Sequence, residues 1–440
     1  MKRSSPFQIV LLCTFGALAI AGVLIFSFYI SKGGTSSIGS VTIWGPFDEI
    51  TVQGALGQLM DSHSDLQNAH YVRKDPATYM SDLTNALASG TGPDLFFLTQ
   101  DEAYAQAPRI LAIDNTTLPV AQFESTFIDG AAPFTGAAGT YALPILADPL
   151  VMYWNKDILT SKGYAQPPQY WDEMFDFSQK VTVKTEAGEV QTAAIDFGTY
   201  NNVDHAKDIL SMLIMQAGGA VTIRDVNGRL ISGLMAKSGG DVQQAAVPSA
   251  LRFYTEFADP SKDDYTWNRA FPDGQTAFSQ GKLALYIGRV SEADAIRAAN
   301  PNLNFAVAPV PQVRASDPAK TPAIDTGTIY GVAIPRTAKN PKGAYVIQLL
   351  LASADVSKTL STALALPSAR RDVLDAVRKK PGDLQMSSYE AIIMRSWTDP
   401  DPDKTDDIFR AMIEDTTSGA LLLNEAIARA EQQINNVIGI

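Results

Sequence analysis

The sequence predicts an α/β chain folded into two lobes and carried behind one N-terminal membrane-spanning helix. Three observations carry this. The chain has 440 residues, more than one hydrophobic core usually organises, so two lobes are expected. Short β-rich runs alternate with helical periodicity through residues 41–440, the pattern of an α/β chain. Phe7 to Ile30 is a run of 24 residues without a charge, and roughly 20 apolar residues suffice to cross the hydrocarbon core.

Lys2 and Arg3 precede that run, which by the positive-inside tendency leaves residues 1–6 cytoplasmic and exports everything after it. A cleaved signal peptide would have an apolar region of roughly 7–15 residues ending in small side chains, and neither holds. Cys13 invites a lipidation reading, but Leu12 before it is not small and the apolar run continues past it. Residues 7–30 are therefore expected to stay as a single-pass anchor in the cell membrane. Residues 31–40, rich in Gly and Ser, form a flexible tether.

In the exported part, Val41–Trp44 is a first strand. Asp75-Pro76 is expected to cap and start a helix, because Tyr79, Met80, Leu83 and Leu87 fall at helical spacing before Gly90. The segments 94–98, 151–154, 283–287, 305–308 and 329–334 are apolar strands of the kind covered on both faces. Asn340-Pro341 opens a helix to about Leu351, and a last helix carries Leu423, Ile427, Ala430, Ile434 and Val437 on one stripe. Pro punctuation at 143–149, 308–311 and 399–403 reads as loops, the first two as lobe crossings.

Composition excludes several function classes. A net charge of −12 with no basic run beyond Arg378-Lys379-Lys380 argues against nucleic acid. The lone Cys13 leaves the exported part without disulfides or thiolate chemistry. His63, His70 and His205 are too few and too ill-spaced for zinc. Gly90-Thr-Gly-Pro93 lacks the third glycine of a dinucleotide loop and precedes a strand. The acidic run from Asp399 has Lys404 and Arg410 where a calcium loop needs Gly and Glu, so it reads as a surface turn. No cofactor, metal or catalytic constellation is expected, and the chain reads as a binding protein rather than an enzyme.

An ordered set of segments then points further. It runs from Val41-Thr-Ile-Trp-Gly-Pro-Phe-Asp48 through Gly90-Thr-Gly-Pro-Asp-Leu-Phe-Phe97, Tyr141-Ala-Leu-Pro144 and Val151-Met-Tyr-Trp-Asn-Lys-Asp-Ile-Leu159. It continues with Pro168-Gln-Tyr-Trp-Asp-Glu-Met174, Phe278-Ser-Gln-Gly-Lys-Leu-Ala-Leu285, Val307-Ala-Pro-Val-Pro311, Gly331-Val-Ala-Ile-Pro335 and Leu366-Pro-Ser-Ala-Arg370. In this order the chain resembles the family 1 extracellular solute-binding proteins of ABC importers, the group of maltose- and other oligosaccharide-binding proteins. The resemblance implies a periplasmic-binding-protein-like fold of type II. It places lobe 1 at 41–146 plus 311–370 and lobe 2 at 147–310 plus 371–440, with a small solute in the cleft between them. It implies a carbohydrate as the solute and ABC permease subunits as the partner. A ligand sensor and, further off, a glycan-cleaving enzyme are the alternatives.

A sugar presents an apolar ring face and a rim of hydroxyls, which aromatic faces and Asp, Asn or Arg complement. Trp44 and Asp48 are candidates at the end of the first strand, against packing for Trp44 and helix capping for Asp48. Asp101 follows the strand at 94–98, against a solvated loop carboxylate. Asp148, in an apolar stretch where a lone acid is costly to bury, is assigned to ligand or hinge. Tyr200 with Asn201, Trp267, Thr328, Arg370 and Trp397 complete the candidates. Arg289 stands where the resemblance leads one to expect an aromatic platform, and an arginine there suits an anionic or more polar solute.

Overall fold

The computed structural model describes residues 38–235, 241–314, 321–379 and 384–440. The anchor expected at 7–30 lies outside these residues; among the described ones no helix is long and apolar enough to cross a membrane.

Nine strands form one sheet: β1 (Val41–Gly45), β2 (Ala69–Arg73), β3 (Leu95–Thr99), β4 (Leu143–Asn155), β5 (Val183–Lys184), β6 (Val190–Ile195), β7 (Leu283–Arg289), β8 (Phe305–Ala308) and β9 (Gly327–Ala333). Their order is β2-β1-β3-β9-β4-β7-β6-β5, with β8 also paired to β4. The helices that matter below are α1 (Glu49–Gly57), α2 (Tyr79–Ser89), α3 (Ala206–Gln216), α4 (Pro341–Leu351), α5 (Leu384–Ile393), α6 (Pro402–Thr417) and α7 (Leu423–Ile438).

β4 holds the architecture together. All 13 of its residues are buried, and at roughly 3.3 Å per residue it is about 40 Å long. Its first half, Leu143 to Pro149, pairs antiparallel with β9, and its second half pairs with β7 and β8. Leu143 and 145–147 pack in one core with β1, β3 and β9, whereas 150–154 pack in another with β6, β7, α3 and α7. Asp148 and Pro149 stand between the cores. The two-lobed α/β fold is therefore two cores sharing one strand. Leu374, Ala391 and Met394 belong to the first core, although the sequence reading put 371–440 with the second lobe.

The stretch 143–149 is strand, where its prolines read as a crossing loop. A proline cannot donate to a ladder, but Pro144 lies opposite Gly331, where the register slips, and Pro149 lies at the hand-over from β9 to β7. Gly327, opposite Pro149, has φ of +151°, and a Cβ there would sit 2.3 Å from the Asp148 carbonyl oxygen. Only glycine lets β9 and β4 approach so closely at this point.

Local signals explain the helix ends. Gly90 closes α2 in the left-handed conformation at φ 71°. Asn340 caps α4 by accepting from Gly343 N at 3.0 Å, with Pro341 at the first position. α2 starts later than expected, at Tyr79, because Asp75 spends its carboxylate on Ala77 N in a local turn. The acidic stretch 399–403 is not a surface turn: Asp401 caps α6, and Asp399 is 1% exposed.

Candidate binding cleft between the lobes

Where β4 passes from one core to the other, two cavities meet at Arg289, the last residue of β7. The first, about 470 Å³, is walled on the first-lobe side by Phe47, Tyr79, Phe97 and Tyr330, with Asp148 and Arg289 at its base. Phe47 sits edge-on to Phe97 and Tyr330, with ring centroids 5.4 and 4.9 Å apart. The second, about 660 Å³, faces the second lobe and is lined by Asp101, Tyr200, Asn201, Lys207, Arg289 and Asp403 among others. One side of the cleft is thus aromatic and the other polar, which suits a solute with an apolar face and a hydroxyl rim.

Asp148 is 1% exposed, and its Oδ1 accepts from Ser291 N at 3.0 Å. Burial holds its carboxyl above the ordinary range, against the opposing pull of Ser291 and Arg289. Arg289 donates through Nη2 to Asp208 Oδ2 at 2.9 Å. Burial works against ionising Asp208, but the charges of Arg289, His205 and Lys207 together with the Arg289 hydrogen bond outweigh it and keep that carboxyl below its usual range. Glu102, beside the aromatic cavity, is pushed up to about 7 by burial and then by the charge of Asp101. Lys207 is bound to Asp399 Oδ2 at 2.8 Å, and His205 meets Glu292 Oε1 at 2.5 Å.

The candidate residues divide. Asp101, Asp148, Tyr200, Asn201 and Arg289 line the two cavities. Thr328, opposite Asp148 in the β4–β9 ladder, is 5% exposed and lies behind the cleft. Trp44 lines neither cavity; it packs at the edge of the first core with Lys74 Nζ 3.7 Å above its ring. Trp267 is corrected to a core residue: it is 0% exposed and stacks on Phe271 at 4.5 Å. Trp397 stacks on Phe409 and lines a separate cavity of about 380 Å³ with Thr222 and Arg395. Phe47, Tyr330, Asp204 and Asp208 were not singled out in the sequence. Phe47 adjoins Asp48 and Tyr330 follows Thr328 by two, so both lay within reach; Asp208 had no local signal.

Asp48 caps α1, its Oδ2 accepting from Thr51 N at 2.9 Å and Thr51 Oγ1 at 2.7 Å. Asp48→Ala is expected to lower the urea midpoint, and Asp48→Asn, which can still cap, to leave it nearly unchanged. Equal losses in both variants would exclude a capping role.

The model of the bacterial extracellular solute-binding protein family matches residues 70–386. Among curated relatives, the diacetylchitobiose binding protein of Streptomyces coelicolor is 25% identical over 221 residues, 50% of this chain and 47% of that one. A Brucella abortus protein described as a binding protein is 26% identical over 191 residues, 43% of this chain and 42% of that one. The matched stretch is therefore less than half the length of each of these relatives. Among solved structures, the cyclic α-maltosyl-1,6-maltose binding protein of Arthrobacter globiformis aligns with a TM-score of 0.70 at 17% identity, over 91% of this chain and 98% of that one. An ABC transporter solute-binding protein of Thermotoga lettingae, bound with α-D-tagatose, aligns at 0.65 and 19% identity, over 91% of this chain and all of that one (100%). At these identities the likeness establishes the two-lobed fold.

Proposed function

The chain belongs to the bacterial extracellular solute-binding protein family, and from that premise we propose that it captures a saccharide between its lobes and delivers it to the membrane subunits of an ABC importer. The observation that carries the reading is the cleft itself. Arg289 joins an aromatic cavity to a polar one at the point where a single strand passes between the cores. The relatives' names support it: one binds diacetylchitobiose, and the structures of the same fold bind maltose-derived sugars and tagatose.

Closure follows from the topology. β4 is the shared strand, so rotation of the lobes concentrates at Asp148, Pro149 and Leu150 and at the parallel crossing near Asp325 and Met394. A solute that touches both walls binds the closed form better and shifts the population to it. We place the lobes at 41–147 with 329–394 and at 150–310 with 408–438. Asp101, Asp148, Tyr200, Asn201 and Arg289 are the contacts we assign. Residues 7–30 anchor the domain to the membrane, with the binding domain outside the cytoplasm.

The test is a thermal-shift screen of the full chain in detergent against saccharides, polyols and amino acids. A solute at about 100 times its Kd should stabilise the native state by about 2.7 kcal/mol. A shift by amino acids with none by any saccharide overturns the assignment. Recovery of the intact chain, residues 1–30 included, from washed membranes checks the anchor; recovery of a shortened chain from the medium overturns it.

A further inference from the structure

We infer that the solute of this cleft carries a protonated amine: the site is built for an aminated saccharide rather than a neutral or anionic one. This rests on the saccharide reading above and narrows it. The polar cavity of about 660 Å³ is lined by three permanent cations, Lys207, Arg289 and Arg410. Each is already held by a carboxylate of the protein: Lys207 by Asp399 at 2.8 Å, Arg289 by Asp208 at 2.9 Å, and Arg410 by Asp407. His205, the other basic group in the wall, is engaged by Glu292.

The acids of the same wall are not neutralised in return. Asp101, Asp204, Asp273, Asp403 and Asp406 line the cavity, and among the described residues none of them has a lysine or arginine within ion-pair distance. Asp101 receives Thr99 Oγ1, Asp204 receives Gln275 N at 2.9 Å, and Asp406 receives the Tyr200 hydroxyl. These bonds orient the carboxylates without pairing any of them with a cation, although burial holds the Asp204 carboxyl above its ordinary range. The arginine that suggested an anionic solute is therefore spent on Asp208, and the field in the cavity is negative.

A second feature fixes what else the solute must offer. Arg289 Nε is buried and has no partner among the described residues, at the point where the polar and aromatic cavities meet. A buried N–H without an acceptor is costly, and a small shift of the Arg289 side chain as the lobes close would bring this donor to a ring or hydroxyl oxygen of a saccharide. The ring face then lies toward Phe47 and Tyr330, and an amine substituent on the far side reaches the carboxylates, where a charge-assisted hydrogen bond is about twice as strong as a neutral one.

The experiment is calorimetric titration of the full chain in detergent at about pH 6, where an ordinary amine is protonated. Three disaccharides of one shape are compared: β-1,4-linked diglucosamine, its N-acetylated form, and cellobiose. The diamine should bind at least about tenfold tighter than cellobiose, a difference of about 1.4 kcal/mol. That advantage should shrink at about 1 M NaCl, where charges are screened beyond about 3 Å. Asp403→Asn with Asp406→Asn, two exposed acids of the cavity wall, should bring the ratio of diamine to cellobiose affinity down toward one, and a ratio that stays unchanged overturns the inference. If cellobiose or the acetylated form binds as tightly as the diamine, the amine inference falls and saccharide capture stands. If no saccharide in the wider screen binds, the reading beneath it falls as well.

Discussion

Lys207→Met is expected to destabilise the second lobe by about 3–5 kcal/mol at pH 8, the scale for stranding one partner of a buried ion pair. Asp399 is 1% exposed, and the Lys207 ammonium lies 2.8 Å from its Oδ2 while also donating to Thr405 Oγ1 and the Pro402 carbonyl. The methionine fills the stem's volume but offers no charge. Even with the lysine present, burial raises the Asp399 carboxyl to about 6, and Lys207 is the main force opposing that rise. Without it the folded value climbs further, so the folded state is penalised wherever the carboxylate must stay ionised. The sign is fixed by linkage: a carboxyl whose folded value is raised loses stability as pH rises from its unfolded value, ordinarily 3.8, through its folded one. Parent and variant should therefore differ most above about pH 6 and converge toward pH 4, where Asp399 is protonated in both. Asp399→Asn added to Lys207→Met should recover much of the loss at pH 8. Urea midpoints across pH decide it: a deficit equal at pH 5 and pH 8 would rule out a stranded carboxylate.

That prediction turns on a residue the sequence misassigned, and the reason is general to this chain. Features whose cause lies within a few residues were legible. The runs at Val41, Leu95 and Phe305 are strands because they are apolar, β-rich and bounded by turn residues. α4 begins where Asn340 and Pro341 said it should, and α2 ends at Gly90. Features whose cause lies far away were not. Asp399 is buried because Lys207 comes to it from α3, 192 residues earlier. Pro144 and Pro149 sit in a strand because β9, which joins the sheet almost two hundred residues later, slips its register at the first and hands over to β7 at the second. Trp267 next to Asn268 looks like a ligand platform until the second core closes over it. Arg289 was found, but the Asp208 that changes its meaning lies 81 residues away. The site was thus legible as a set of residue types and not as a charge balance, because charge balance is set by which side chains meet.

Glu390→Gln is expected to do the opposite of Lys207→Met and stabilise the protein at alkaline pH. Asp325 and Glu390 are both 0% exposed, and all four of their carboxylate oxygens lack a partner among the described residues. They stand at the second crossing between the lobes, where Asp325 N donates to the Ile393 carbonyl and Arg395 N to the Asp325 carbonyl. Burial, and then the charge of Glu390, drives the Asp325 carboxyl well above its ordinary value; burial pushes Glu390 up to about 8. Two adjacent buried carboxyls cannot both ionise without a large cost. Between the ordinary 4.5 of an unfolded glutamate and about 8, the folded chain keeps a proton that the unfolded chain releases. Stability therefore falls with rising pH across that window, by something on the order of a few kcal/mol. Glutamine holds the same volume without a charge to bury, and its presence also relieves Asp325. The variant should match the parent near pH 5, exceed it increasingly up to pH 9, and show a flatter melting-temperature profile between them. Because the pair lies where the chain crosses between lobes, the same proton should favour tight packing of that crossing, so solute affinity of the parent should weaken at alkaline pH more than that of Glu390→Gln. Parallel profiles for parent and variant would mean that the pair is solvated or compensated and that no proton is held at the crossing.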